Sequence, residues 1–291
     1  MKSTLVASSL AAALCATTAV RAQEVAPAPA PEAAPAPAAE MEVSEAKVHV
    51  WAGLDFKTAY TATGATCNDG WVAQPCVDIF GLTFGDFVLP VTFEFWGNID
   101  LERYDEDPDS KGGHFQEIDL AAYLNLGDYI YDGLTFDVGY LEYDYPSHDA
   151  DPDHLVHFVA KYGFDFDDWG EITPKLQAKY RVAGPSEGKC EYAAEISWGV
   201  TLAKDVFLGK NLGFSLAADA WYVDNRGQDR DEEGFRPESG WCCSYLTAKV
   251  SLGDFYVGVQ RIFRFEDDVL PDGAYGYDEK WIGMCGVSYE F

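Results

Sequence analysis

Charged side chains recur at every second position in several stretches of this chain, and their signs are segregated. Glu94, Asp100 and Glu102 alternate with apolar residues in one stretch, Glu117 and Asp119 in the next, and Asp137 in a third. His157 and Lys161, then Lys175, Lys179 and Arg181, repeat the spacing with the opposite sign, and Arg264 adds a cation further on. A period of two is that of extended chain, where residues i, i+2 and i+4 share a face. The acids therefore form one wall of an interior and the bases the adjoining arc. The chemistry this predicts is electrostatic: fixed charges of both signs around a narrow lumen orient polar solutes and bias ion selectivity. The competing reading is that the same residues pair with one another and fill the interior as a salt-bridged core.

Two further clusters carry chemistry-bearing residue types. Asp105, Asp107 and Asp109 repeat the phrase Asp-x-Asp-Pro-Asp found again at Asp149, Asp151 and Asp153. Alternate carboxylates suit calcium, although neither run has the glycine and terminal glutamate of an EF-hand loop. A solvated acidic loop explains the same pattern. Ser147, His148-Asp149, Asp151 and Asp153-His154 supply the types used by hydrolases. They crowd one loop, and adjacency in sequence is no evidence of a nucleophile–base hydrogen bond. The chain is accordingly expected not to be an enzyme. Of seven cysteines, Cys67 and Cys76 flank a short loop and are the expected disulfide; no CxxC or Cys/His spacing supports zinc.

The elements that must position these residues are strands. Period-two segments bounded by turn residues recur about twelve times, at 47–59, 76–86, 90–104, 114–126, 133–145, 154–164, 172–183, 189–203, 211–224, 241–252, 254–265 and 280–291. The connections alternate short and long, with 184–188 the one exception on the long side. In 114–126, Ile118, Leu120, Ala122 and Leu124 oppose Glu117, Asp119, Tyr123 and Asn125. In 90–104, Phe93, Phe95 and Ile99 oppose Glu94, Asn98 and Asp100, and in 211–224, Phe214 and Leu216 oppose Ser215, Asp219 and Trp221. A soluble sandwich turns such an apolar face to a core, and a membrane barrel turns it to lipid. An even strand number and alternating loop lengths predict the second. The expected fold is all-β, an antiparallel up-and-down transmembrane β-barrel over residues 47–291. About twelve strands fall between barrels that side chains fill and barrels that enclose a channel.

The flanking sequence agrees. Residues 1–22 read as a signal peptide: Lys2, the apolar stretch Leu5 to Val20, and small residues before Gln23. Residues 23–46 are an Ala/Pro-rich linker of extended character. The final strand, Lys280 to Phe291, puts Trp281, Cys285, Val287, Tyr289 and Phe291 on one face. It resembles the closing strand of bacterial outer-membrane barrels, whose terminal Phe is read by the barrel-assembly machinery. Without Lys2 and Arg21 the chain carries 18 basic and 49 acidic side chains, a net charge of −31, which excludes a nucleic-acid partner. Trp51, Trp71, Trp198, Trp241 and Trp281 suit a membrane interface, while Trp96 and Trp221 are expected inside.

Glu117 to Pro146 reads EIDLAAYLNLGDYIYDGLTFDVGYLEYDYP, and Phe95 to Asp100 reads FWGNID. Both segments resemble the TorF-type porin family over residues 50–150. The first hairpin departs from that family, carrying two cysteines where an arginine-glycine stretch is expected. The resemblance implies a bacterial outer-membrane pore. The function expected is a porin-like channel for passive diffusion of small polar or charged solutes, with outer-membrane lipid as its surroundings and no cofactor other than calcium. The alternatives are a non-conducting structural or adhesive barrel using the 225–240 loop, and an outer-membrane hydrolase.

Overall fold

The computed structural model describes residues 47–84, 87–102, 112–146, 151–227, 238–265, 269 and 281–291. The signal peptide and the linker lie outside them. Twelve antiparallel strands form the wall: β1 (Lys47–Lys57), β4 (Val72–Phe84), β6 (Val91–Asp100), β7 (Phe115–Asn125), β8 (Leu134–Asp144), β9 (Asp153–Tyr162), β11 (Glu171–Ala183), β12 (Cys190–Phe207), β13 (Lys210–Asp224), β14 (Gly240–Leu252), β15 (Phe255–Arg264) and β16 (Trp281–Glu290). Each pairs with its neighbour in sequence order. β1 pairs both with β4, Trp51 opposite Asp78, and with β16, Trp51 opposite Glu290. The sheet thus closes and leaves no edge, which a lipid environment requires. The short β5 (Phe87–Val88) and β10 (Phe164–Asp165) extend two tight turns, and β2 (Tyr60–Ala62) pairs with β3 (Ala65–Asn68) as a separate hairpin. A short helix, α1 (Gly127–Ile130), caps the β7–β8 turn.

One end of the barrel carries the tight connections and the other the long ones; they are the turn end and the loop end below. At the turn end, Leu208 (φ 49°) and Gly209 (φ 73°) both have positive φ. Two such residues make the turn whose twist matches paired strands. The sequence placed the strands within a few residues of their observed limits. β4 starts at Val72 instead of near residue 76, and β12 runs on to Phe207.

The outer face is apolar and open. Phe93 is 46%, Leu120 51%, Leu176 62%, Ile196 55% and Val257 60% exposed. Among the described residues no second layer covers them, and with the ring of strand pairing closed the sandwich is excluded. Large aromatics crowd the turn end, including Phe84, Phe87, Tyr129, Trp169, Phe255 and Phe291, all exposed. Trp241 and Trp281 do the same at the loop end. Strands of about ten residues at ~3.3 Å rise, tilted ~40°, span ~25 Å, the height of a membrane barrel's apolar band. No helix among the described residues is long and apolar enough to cross a membrane.

Candidate functional site: a two-signed cavity below an inserted hairpin

The lumen at the turn end is a cavity of about 960 Å³. It runs from Gly133, Gly163 and Glu171 at the turn end to Tyr143 and Lys179 deeper in. Glu94, Asp119, Asp137, His157, Lys161, Lys175 and Lys179, all expected inside, line it, and Asp78 joins the acids. Of the described residues, six acids and three lysines line it and largely follow strand order, with Glu171 of β11 and Glu195 of β12 among the lysines. Asp78, Glu94, Asp119 and Asp137 come from β4, β6, β7 and β8; Lys161, Lys175 and Lys179 come from β9 and β11.

A hydrogen-bonded chain runs from the acidic arc into the basic one. Tyr123 Oη lies 3.1 Å from His157 Nδ1, and His157 Nε2 lies 3.3 Å from Gln177 Oε1. With the phenol donating to Nδ1, Nε2–H donates to the amide and the imidazole is neutral. Gly139, paired with both Tyr123 and His157, makes room. A Cβ there would overlap the Tyr123 ring, so glycine lets the ring lie flat across β8 toward β9. On the basic side Lys175 sits 3.6 Å from Glu195, and Lys179 donates to Tyr143 Oη at 2.8 Å. On the acid side Asn125 Nδ2 donates to Asp137 at 2.9 Å.

The loop end is filled. The first long connection folds into the barrel as the β2–β3 hairpin, tipped by Thr63 (φ 48°) and Gly64 (φ 86°). Gly283 N donates to Thr58 Oγ1 at 3.0 Å and fixes its base to β16. Tyr60 Oη donates to Glu117 at 2.6 Å, reaching β7. At the tip, Gly64 N donates to Tyr245 Oη at 2.7 Å, and Arg264 Nε donates to Gly64 O at 2.7 Å. Arg264 Nη2 also reaches Thr66 Oγ1 at 2.8 Å. The hairpin therefore bridges the lumen between β7 on one side and β14 and β15 on the other.

Buried amides join the hairpin to the wall. Gln74 Nε2 donates to Asn98 Oδ1 at 2.9 Å, Asn98 Nδ2 to Gln116 Oε1 at 2.7 Å, and Asn68 Nδ2 to Gln116 at 3.1 Å. A bulge in the β6–β7 register lets both Gln116 and Glu117 reach inside. Beside the tip, Arg181 pairs with Asp153 and, at 3.4 Å, with Glu191, which Lys189 holds at 2.8 Å. Ala59 of the hairpin base packs with Val223, Cys242, Cys243, Tyr245, Ile262 and Ile282 in an apolar cluster.

Several expectations change. Asp100, Glu117 and Arg181 face inward but are buried at the filled end and line no open space. Arg264 fastens the hairpin, and Glu102 lies exposed just past β6. Cys67 and Cys76 are not bonded to each other; all six cysteines among the described residues are free. Cys67 sits on the inserted hairpin with its Sγ toward Ala65 O, and Cys76 on the β4 wall with its Sγ toward Asp78, each 3.8 Å away. Asp153 is engaged within the fold: Arg181 and the Ser186 N–H, at 3.0 Å, meet its carboxylate. Asp105, Asp107, Asp109 and Asp149 lie outside the described residues, as do Ser147 and His148, and no metal-binding group is found among the described ones. The hydrolase pair Asp153-His154 is split by the pleat. Asp153 points in, whereas His154 stacks on Tyr140 of the outer face at 6.0 Å. Trp96 faces inward and lies against hairpin Tyr60 (5.7 Å), and Trp221 packs on the apolar cluster; neither lines the cavity.

The hairpin is the element sequence reasoning missed. Its signal was the alternating Tyr60–Cys67 run around Thr63-Gly64.

No family model matches the chain, and no curated protein matches it in sequence. The TorF-type resemblance thus rests on its own residues, which fall on adjoining strands β6, β7 and β8. Solved structures of similar architecture include the KdgM porin, with TM-score 0.44 and 8% identity over 83% of this chain and 99% of that one. The NanC porin gives 0.40 and 6% over 83% and 98%. An outer membrane channel from Pseudomonas putida F1 gives 0.44 and 12% over 89% and 100%. The barrel assignment rests on strand pairing and closure, not on these likenesses.

Proposed function

We propose that the chain is an outer-membrane channel for passive diffusion of small polar or charged solutes, with the β2–β3 hairpin as its constriction. The observation that carries this is the inversion of the wall: apolar side chains face outward, and ionisable ones surround a cavity of about 960 Å³ inside. A Lys or Arg facing lipid at the midplane costs ~2–4 kcal/mol, so the ionised face belongs inside. A closed barrel with ionised walls solvates small polar molecules that hydrocarbon excludes. The test is conductance and reversal potential of the refolded protein in a planar bilayer under a salt gradient. Discrete ion currents are expected, and a barrel that inserts without conducting removes the channel reading.

The hairpin itself favours a second reading, a structural barrel that does not conduct. Liposome swelling separates the two: entry of small sugars or amino acids supports the channel, and intact osmotic shrinkage supports the structural barrel.

A further inference from the structure

The two charged arcs of the turn-end cavity face water without pairing across it. Among the described residues, no ion pair within 4.0 Å joins Asp78, Glu94, Asp119 or Asp137 to Lys161, Lys175 or Lys179. Lys161 has no carboxylate partner. Lys175 is met by Glu195 of its own side, and Lys179 by a phenol. Asp119 Oδ1 is buried and accepts no hydrogen bond. The same barrel does pair its charges at the loop end, where Arg181 takes Asp153 and Glu191. Apart from Glu171 and Glu195, which lie among the lysines, opposite charges are thus held apart over one continuous cavity.

This arrangement discriminates between ligand classes. A lone cation is attracted by the acid arc and repelled by the basic one, and a lone anion meets the reverse. A neutral solute gains from neither. Only a molecule with both charges gains on both sides, and since the arcs do not touch, its charges must be spaced. A volume of about 960 Å³ suits a small solute with accompanying water.

We infer that the turn-end cavity binds a small zwitterion whose ammonium and carboxylate are separated by a short spacer. The ammonium lies toward Glu94 and Asp119 and the carboxylate toward Lys161 and Lys175. This rests on the proposed aqueous lumen, but it does not require passage beyond the hairpin.

The test is calorimetric titration of the refolded full chain in maltoside with 5-aminopentanoate, pentylammonium and pentanoate, which share a carbon chain and differ in charge. The zwitterion is expected to bind at least about tenfold more tightly than either analogue, the effect of roughly one well-placed charge contact. Glu94→Gln and Lys175→Gln should each lower its affinity about tenfold, to the level of the single-charge analogues. If Glu94→Gln does not refold, Asp137→Asn reads the same arc. Equal binding of pentylammonium or of pentanoate overturns the inference, as does the absence of saturable heat. Bilayer recordings on the same sample separate the two claims. Zwitterion binding without ion current leaves the site and removes the channel; current without zwitterion binding does the reverse.

Discussion

The two halves of the lumen are made from the same strands and the same period-two pattern, yet they differ in kind. At the loop end the hairpin displaces water, and what remains is paired: Arg181 with Asp153 and Glu191, Tyr60 with Glu117, and amides in a chain from Gln74 to Asn68. At the turn end nothing among the described residues enters the bore, and the acidic and basic arcs stand apart. The difference teaches that inward charge has two uses. Desolvated, it must be paired and then serves to fix structure. Solvated, it stays unpaired across the bore and is available to solutes.

The sharpest way to break this contrast is to remove a buried charge at the loop end. Arg181→Ala leaves the buried Asp153 without its cation and Glu191 with Lys189 alone, and should cost about 3–5 kcal/mol. Denaturant unfolding of the refolded barrel reads it, and a loss comparable to that of the solvated Lys161→Ala would erase the distinction. Next in size is the hairpin latch. Arg264→Ala removes charged hydrogen bonds to Gly64 and Thr66, worth about 1.5–3 kcal/mol each. Maleimide labelling of Cys67, kept as the sole thiol, should accelerate about tenfold or more, and single-channel conductance should rise. Unchanged labelling would mean the hairpin is held elsewhere.

A smaller effect is expected at the solvated end. Lys175→Glu should leave stability within about 0.5 kcal/mol while raising cation over anion permeability, seen as a shifted reversal potential. An unmoved reversal potential would place Lys175 off the ion path. The smallest effect is one of pH. Burial, with the Glu117 charge, pushes the Cys67 thiol from an ordinary 9.0 up to about 12, and raises the Tyr60 phenol as well. The docked hairpin therefore keeps protons that the released hairpin gives up. Docking is intact below pH 9 and weakens as pH rises toward 12. Conductance should drift upward over that window in wild type and not in the Arg264→Ala variant.

Much of the wall was legible from sequence, because strand faces follow from a local period that neighbours cannot change. Alternation puts Leu120 and Phe93 on one face and Glu94, Asp119, Lys161 and Lys175 on the other, and strand number with loop lengths turns the first face outward. The strand number and the alternation of loop lengths followed from the same pattern. What failed were statements about pairing. Cys67 and Cys76 are near in sequence and unbonded in space. Asp153 matched a cation-binding phrase and serves Arg181 instead. Arg264 was assigned to the pore and holds a hairpin some 200 residues distant.

The amino-acid sequence by itself determined an alternating wall, its apolar and charged faces and the dominant sign of each arc, since these depend on residue type and on a two-residue repeat. Only the tertiary structure decided which of the inward charges are buried and which are wet. That depends on where the Thr63-Gly64 turn comes to rest. Contacts such as Gly64 with Tyr245 and Arg264, or Tyr60 with Glu117, join residues far apart in the chain and leave no periodic trace in it.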